Sequence, residues 1–247
     1  MNTNPALKEA TVHAYQTLRS QTPWQHEGTG ILHHRVLPFA TLAPWLADPT
    51  FMALYEKIQS NTLVDIYRCH ELWSLAQQAR YVEGDVLEVG VWRGGTGAIL
   101  ASALKDSSDK TIFLADTFEG VVKAGMQDTR YKGGEHADTS VQLVESLMVQ
   151  LALPNTRILK GIFPDDTQAA IPGKIAFLHC DVDVYSSSKD IVEWCLPRLS
   201  VGASLVFDDY GFFGCEGVTR FCNELRNRKD MRFIHNLNGH AIFVKLF

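Results

Sequence analysis

The chain has 247 residues, 46% hydrophobic and 21% charged, with 23 Lys and Arg against 28 Asp and Glu for a formal net charge of −5. This length and composition exclude a disordered chain and accommodate one large α/β domain with an extension. The acidic balance argues against a nucleic-acid partner, which would need a basic surface, and no apolar run is long enough to span a bilayer.

The first residues, MNTNPALKEATVHAYQTL, are polar and lack the apolar centre of a signal peptide, so the cytoplasm is the expected compartment. Cys69, Cys180, Cys195, Cys215 and Cys222 are scattered, with no C-x-x-C pair, which fits reduced thiols rather than a disulfide framework or a zinc site. Residues 1–60 carry Pro23, Pro38, Pro44 and Pro49 with Trp24 and Trp45, and show no strand–helix alternation. They are expected to form a helical and loop extension that covers the mouth of a site or meets a second subunit, giving a homodimer; residues 61–247 are expected to form the main domain. A helix is expected over 65–82 (DIYRCHELWSLAQQARYV), with Ile66, Leu72, Trp73, Leu75 and Ala76 at helical spacing.

From residue 85 the pattern alternates. Strands are expected at 85–90, 111–116, 156–161, 174–180 and 203–208, with helices at 96–104, 138–152 and 187–198. A helix near 216–228 follows, then strands MRFIHN and HAIFVKLF joined through NLNG, where Asn238-Gly239 is a hairpin signal. This is the pattern of a mostly parallel sheet covered on both faces. Its closing antiparallel hairpin resembles the end of a Rossmann-like class I methyltransferase sheet more than a plain dinucleotide fold.

Two sets of residues carry chemistry. In DVLEVGVWRGGTG (85–97), Glu88 and Gly90 end the first strand, and Gly94, Gly95, Thr96 and Gly97 open a helix at the carboxyl ends of the strands, where open α/β sheets bind ligands. Three non-glycines follow Gly90, which breaks the G-x-G-x-x-G fingerprint of nicotinamide binding; Glu88 suits a cationic amino-acid ligand better than a pyrophosphate. Asp116, in LADTFEG, can accept the ribose hydroxyls of an adenosine cofactor. Further along, Asp181 and Asp183 follow one strand in LHCDVDVYSSS, and Asp208 and Asp209 follow the next in VFDDYG. If these strands are central and parallel, the carboxylates converge and repel unless a cation sits among them. Mg2+ takes oxygen ligands, so Asp181, Asp208 and Asp209 form a candidate metal site. The competing reading makes one aspartate of each pair a helix N-cap, with Asp183 or Ser186 to Ser188 before the helix at 187–198.

Taken in order, EVGVWRGG, ADTFEG, KGIFPDD, DVDVYSSS and VFDDYG resemble the macrocin O-methyltransferase (TylF/MycF) family over about residues 60–247. The resemblance implies methyl transfer from S-adenosylmethionine, with Mg2+, to a hydroxyl of a small molecule, typically a sugar of an antibiotic or other natural product. It implies cofactor contacts at Glu88, Gly90, Gly94, Gly95, Thr96, Asp116, Gly161 and Phe163. It implies metal ligation by Asp181, Asp208 and Asp209, with Asp181 also near the acceptor. His136, in YKGGEHADTS, looks like the family's loop histidine and joins Asp181 as a candidate catalytic group; Glu135 is a second candidate for acceptor contact. Sugar-methylating members often read D-G-D-x-Y-E-S-T where this chain has D-V-D-V-Y-S-S-S, a departure that bears on the acceptor. Specificity is expected in residues 1–60 and in the 117–137 loop, long enough to be a lid or substrate loop. An amine or carboxylate acceptor, or a nicotinamide-dependent oxidoreductase on a similar fold, are the alternative readings.

Overall fold

A computed structural model describes residues 4–35, 40 and 42–247; Pro38 lies outside the described residues. The chain divides into two compact units, Met1–Pro44 and Trp45–Phe247. In the first, helix α1 (Pro5–Arg19) starts where the Asn4 side chain accepts from Ala6 N–H, and it buries none of its residues. Beyond it, Trp24 and His33 pair through two backbone hydrogen bonds of 2.9 and 2.7 Å in an isolated antiparallel bridge.

The second unit opens with α2 (Pro49–Ile58). Asp48 caps it, accepting from Phe51 N–H on one oxygen and from Trp73 Nε1 on the other, both at 2.9 Å. Helix α3 (Ile66–Ala79) is capped by Asp65 and buries Leu72, Trp73 and Ala76, the stripe expected from spacing. Then follow β1 (Asp85–Val89), α4 (Gly95–Ala103), β2 (Ile112–Asp116), α5 (Val141–Gln150), β3 (Thr156–Lys160), β4 (Ile175–Cys180), α6 (Tyr185–Cys195), β5 (Leu199–Phe207), α7 (Glu216–Leu225), β6 (Met231–His235) and β7 (Ala241–Lys245). Among the described residues the strands form one seven-stranded sheet in the order β3-β2-β1-β4-β5-β7-β6, parallel except where β7 meets its two neighbours. The expected parallel strands and closing hairpin are therefore present, and no described helix is long and apolar enough to cross a membrane.

Strand parity divides the core. Val86, Ile112 and Leu114 pack with α2 to α5 on one face; Leu87, Val89, Phe113 and Ala115 pack with α6 and α7 on the other. Two helices begin away from their expected positions, each for a tertiary reason. Helix α5 starts at Val141 because Asp138 and Thr139 are drawn onto the glycine-rich turn, where Asp138 accepts from Trp92 Nε1 and Thr139 donates to Trp92 O. Helix α6 starts at Tyr185 because Asp128, from a distant loop, accepts its first N–H at 2.9 Å.

The sheet register positions the site. Val89 pairs with Cys180, and Cys180 with Phe207, so Gly90, Asp181 and Asp208 leave three adjacent strands at one level. Asp181 N–H donates to Val89 O at 2.9 Å and Asp208 N–H to Cys180 O at 3.1 Å. The strand order reverses between β1 and β4, the switch point where such sheets open a crevice.

Helix α2 belongs to this unit through Phe51, which is fully buried and packs edge-on to His70 at 5.0 Å. Phe51→Ala is expected to cost about 3–5 kcal/mol in urea unfolding, the range for emptying a buried aromatic site, and a loss under about 1 kcal/mol would contradict this packing.

Candidate active site

At the switch point lies a cavity of about 220 Å3, walled by the glycine-rich turn, the ends of β2, β3, β4 and β5, and the loop after β2. Gly90 is required there. Its φ is 90°, and a Cβ would fall 1.6 Å from Asp181 O, so only glycine lets β1 and β4 end side by side. Asp116 holds the turn in place. Its Oδ2 accepts from Val91 and Trp92 N–H at 2.7 and 2.9 Å, and its Oδ1 from Phe118 N–H at 2.6 Å. Thr96, Gly161 and Phe163 also line the cavity; Gly161 N–H donates to Asp116 O at 2.9 Å, tying β3 to β2.

Three expected cofactor contacts lie behind this wall. Glu88 is fully buried on the α4 side of β1, accepts from His179 Nδ1 at 2.8 Å, and would sit 2.7 Å from a Cβ at Gly97. Gly94, at φ 86°, is the left-handed residue before α4, and a Cβ there would meet Val144 and Met148. Gly95 is a packing glycine: its N–H goes to Asn61 O at 2.9 Å, and a Cβ would strike that carbonyl at 2.7 Å. In place of these three, the wall presents Val91, Trp92, Thr96 and the 61–64 segment.

The aspartates converge as expected. Asp181, Asp208 and Asp209 each line the cavity, and a carboxylate oxygen from each lies within 4.8 Å of the others. Burial, then the Asp208 and Asp209 charges, push the Asp181 carboxyl well above its usual range; burial, Asp183 and Asp208 do the same to Asp209. Asp208 goes the other way. Burial works to raise it, but a hydrogen bond from His240 and the charge of Arg68 outweigh that and hold it low. Asp209 Oδ2 is buried without a partner, and a buried carboxylate oxygen lacking a donor is the atom a hard cation such as Mg2+ would satisfy. The donor set therefore fits the metal.

Helix capping does not explain Asp183. The residue before α6 makes no side-chain cap, and the first N–H of α6 is taken by Asp128. Asp183 instead has φ 64° and faces Tyr131, whose hydroxyl is pushed up by burial and by the Asp183 charge. His136, also in the left-handed region at φ 62°, is exposed at the rim, its Nε2 3.5 Å from the Tyr131 hydroxyl. Glu135 is committed to its own turn, accepting from Lys132 and Gly133 N–H at 2.7 and 2.9 Å. The loop carrying these residues is tied down by Lys123, which donates to Asp165 and Asp190 at 2.8 and 2.6 Å.

Arg68, Tyr131 and Phe212 line the cavity without having been singled out in the sequence. Arg68 lies on α3, donates to Asp208 and carries the Phe212 ring 4.7 Å from its guanidinium carbon. Its only sequence signal is a cation inside an otherwise apolar helical stripe.

Removing a buried like charge should help the metal-free fold. Asp209→Asn is expected to raise stability in EDTA at neutral pH by about 1 kcal/mol, measured by urea unfolding. The gain should shrink as pH falls and wild-type Asp209 takes up its proton; a loss of stability would contradict the charge account.

The description of the macrocin-O-methyltransferase (TylF) family matches residues 57–245. The chain is 30% identical over 211 residues to the 8-demethyl-8-(2,3-dimethoxy-alpha-L-rhamnosyl)-tetracenomycin-C 4'-O-methyltransferase of Streptomyces olivaceus, covering 80% of each. It is 32% identical over 184 residues to the mycinamicin III 3''-O-methyltransferase of Micromonospora griseorubida, covering 68% of this chain and 71% of that one. Among solved structures, the O-methyltransferase NovP is similar with a TM-score of 0.66 and 25% identity, over 76% of this chain and 83% of that chain. The calicheamicin methyltransferase CalS11 shares the fold, with a TM-score of 0.61 at 16% identity over 83% of this chain and 95% of that chain. With the match spanning the whole sheet and both acidic strand ends, the chain belongs to the macrocin-O-methyltransferase family and is an S-adenosylmethionine-dependent O-methyltransferase.

Proposed function

We propose that the chain methylates a hydroxyl of a sugar or other natural-product intermediate, with Mg2+ held by Asp181, Asp208 and Asp209. The observation that carries this reading is the meeting of these carboxylates at the ends of β4 and β5, with one buried oxygen unpartnered and two carboxyls pushed up by burial and then by their neighbours. A divalent cation would relieve that repulsion. The acceptors named for the tetracenomycin and mycinamicin relatives support a natural-product hydroxyl. An amine acceptor would leave the cluster without a purpose.

Gly90, Thr96, Asp116, Gly161 and Phe163 are the residues we assign to the cofactor, as they line the cavity beside the aspartates. When bound, S-adenosylmethionine supplies an activated methyl group, and the cation supplies a Lewis acid that makes a hydroxyl more acidic. The protein's task is then alignment and proton removal. Methyl transfer is an in-line displacement, so much of the rate comes from holding acceptor oxygen, methyl carbon and sulfur in a row. Asp181 is the group we assign to take the acceptor proton, because it lines the cavity at the end of β4 beside the other two aspartates. His136, at the rim beside Tyr131, is assigned to acceptor contact. Lys123 pins the loop beside the cavity through Asp165 and Asp190. In this reading the enzyme works in the cytoplasm, and the extension over residues 1–60 covers the mouth of the site or contacts a second copy in a homodimer.

Asp181→Ala and Asp208→Ala are each expected to lower turnover by about 100-fold or more while S-adenosylhomocysteine affinity, read by calorimetry, stays near wild type. EDTA should stop the wild-type reaction and Mg2+ restore it. Undiminished methylation in EDTA would sink the metal assignment.

A further inference from the structure

Asp208 differs from the other two aspartates because both its oxygens are held from behind. Arg68 Nη1 donates to Oδ2, and His240 Nε2 donates to Oδ1 at 3.1 Å. Each donor is itself fixed. Arg68 is gripped through Nε by Asp65 at 2.9 Å. His240, the last residue before β7, lies as the imidazolium between two carboxylates and gives its Nδ1 hydrogen to Glu71 Oε2 at 2.6 Å. Glu71 lies one turn along α3 from Arg68 and is held in turn by Asn236 Nδ2, 2.6 and 2.7 Å from its two oxygens. One helix and the β6–β7 connection thus close on a single carboxylate.

His240 is fully buried and absent from the cavity wall, so it touches neither cofactor nor acceptor. One ring nitrogen each of His240 and His179 and an Asp208 oxygen also lie within 4.8 Å of one another. They do not make a second cation site, because Arg68 already neutralises Asp208 and His240 already donates to it. What the arrangement leaves free is the front of the carboxylate. An ionised carboxylate has about four acceptor sites; with one on each oxygen taken from behind, the others are available toward Asp181 and Asp209.

We infer that His240 is a positioning residue for the cation site, fixing through Asp208 Oδ1 the angle at which that carboxylate meets the metal. The inference rests on the three-aspartate reading above. Partners of this kind, which orient a ligand without touching the metal, are worth about 10–100-fold in metal affinity.

The test is titration of Mn2+ into protein saturated with S-adenosylhomocysteine, following the free-ion electron paramagnetic resonance signal, for wild type, His240→Leu and His240→Gln. Glutamine keeps an N–H donor near the place of Nε2; leucine has none. Wild type is expected to bind one Mn2+, His240→Leu to bind about tenfold more weakly or worse, and His240→Gln to recover most of the loss. S-adenosylhomocysteine affinity should be unchanged in both variants, a readout that a loss of fold would move. If His240→Leu does not fold, His240→Asn, one methylene too short to reach Asp208, takes its place with the same expectation. A folded leucine or asparagine variant with wild-type Mn2+ affinity, or a glutamine variant as weak as the leucine one, overturns the inference and leaves the three-aspartate site standing. Failure of wild type to bind Mn2+ overturns both.

Discussion

Strands β4 and β5 run parallel in register and each continues into an aspartate at the same level. Backbone pairing therefore brings Asp181 and Asp208 together whether or not their charges allow it, and Asp209 follows. Two unit charges 4 Å apart interact by about 4 kcal/mol at an effective dielectric near 20, a large fraction of the stability of a whole domain. The fold offsets part of this from behind. Arg68 and His240 hold Asp208 low, and their own partners, Asp65 and Glu71, keep them there. Among the described residues no charged side chain bonds Asp181 or Asp209 in this way, and despite the more distant Arg68 charge their carboxyls are pushed up. The imbalance sits on the cavity side, where a cation and an acceptor would enter.

The half of the cavity proposed for the cofactor depends on the same strand ends. Gly90 permits β1 to end against the Asp181 carbonyl, so the glycine-rich turn and the acidic cluster share one backbone contact. Asp116 joins this turn to β2 through the two amide hydrogens of Val91 and Trp92. Trp92, with φ 47°, is held by the Asp138–Thr139 segment through its indole N–H and its carbonyl. Strain at Trp92, His136 and Asp183 clusters around one cavity, as expected where geometry is set by function rather than by local preference.

Much of this was legible in the sequence, and the limits have physical causes. The parallel strands announced themselves because both faces of the sheet are buried, which makes each strand a short apolar run. The acidic cluster was legible because a strand end is a place, and two acidic strand ends in one parallel sheet must face the same way. Glu88 lies one residue before a strand's end, where parity decides which face it joins. It shares the α4 face with Val86, whereas Leu87 and Val89 face α6 and α7. That parity could have been read from the sequence. Gly94 and Gly95 were harder to interpret, because a glycine's need for space does not say whether a ligand or the chain itself, here Val144 and Asn61, lies against it. Arg68 and His240 could not be found from local pattern. They reach Asp208 across 140 and 32 residues of sequence, and only the packing of α3 and the hairpin against β5 brings them there.

The proposed chemistry depends on where a cation sits. Crystals grown with S-adenosylhomocysteine and Mn2+, measured at a wavelength where manganese scatters anomalously, test it directly. The account predicts one anomalous peak among the carboxylates of Asp181, Asp208 and Asp209, about 2–2.3 Å from their oxygens, with the adenosyl group beside Gly90 and Asp116. An occupied cofactor site with no peak between those aspartates, or with their side chains turned into separate regions, would contradict it.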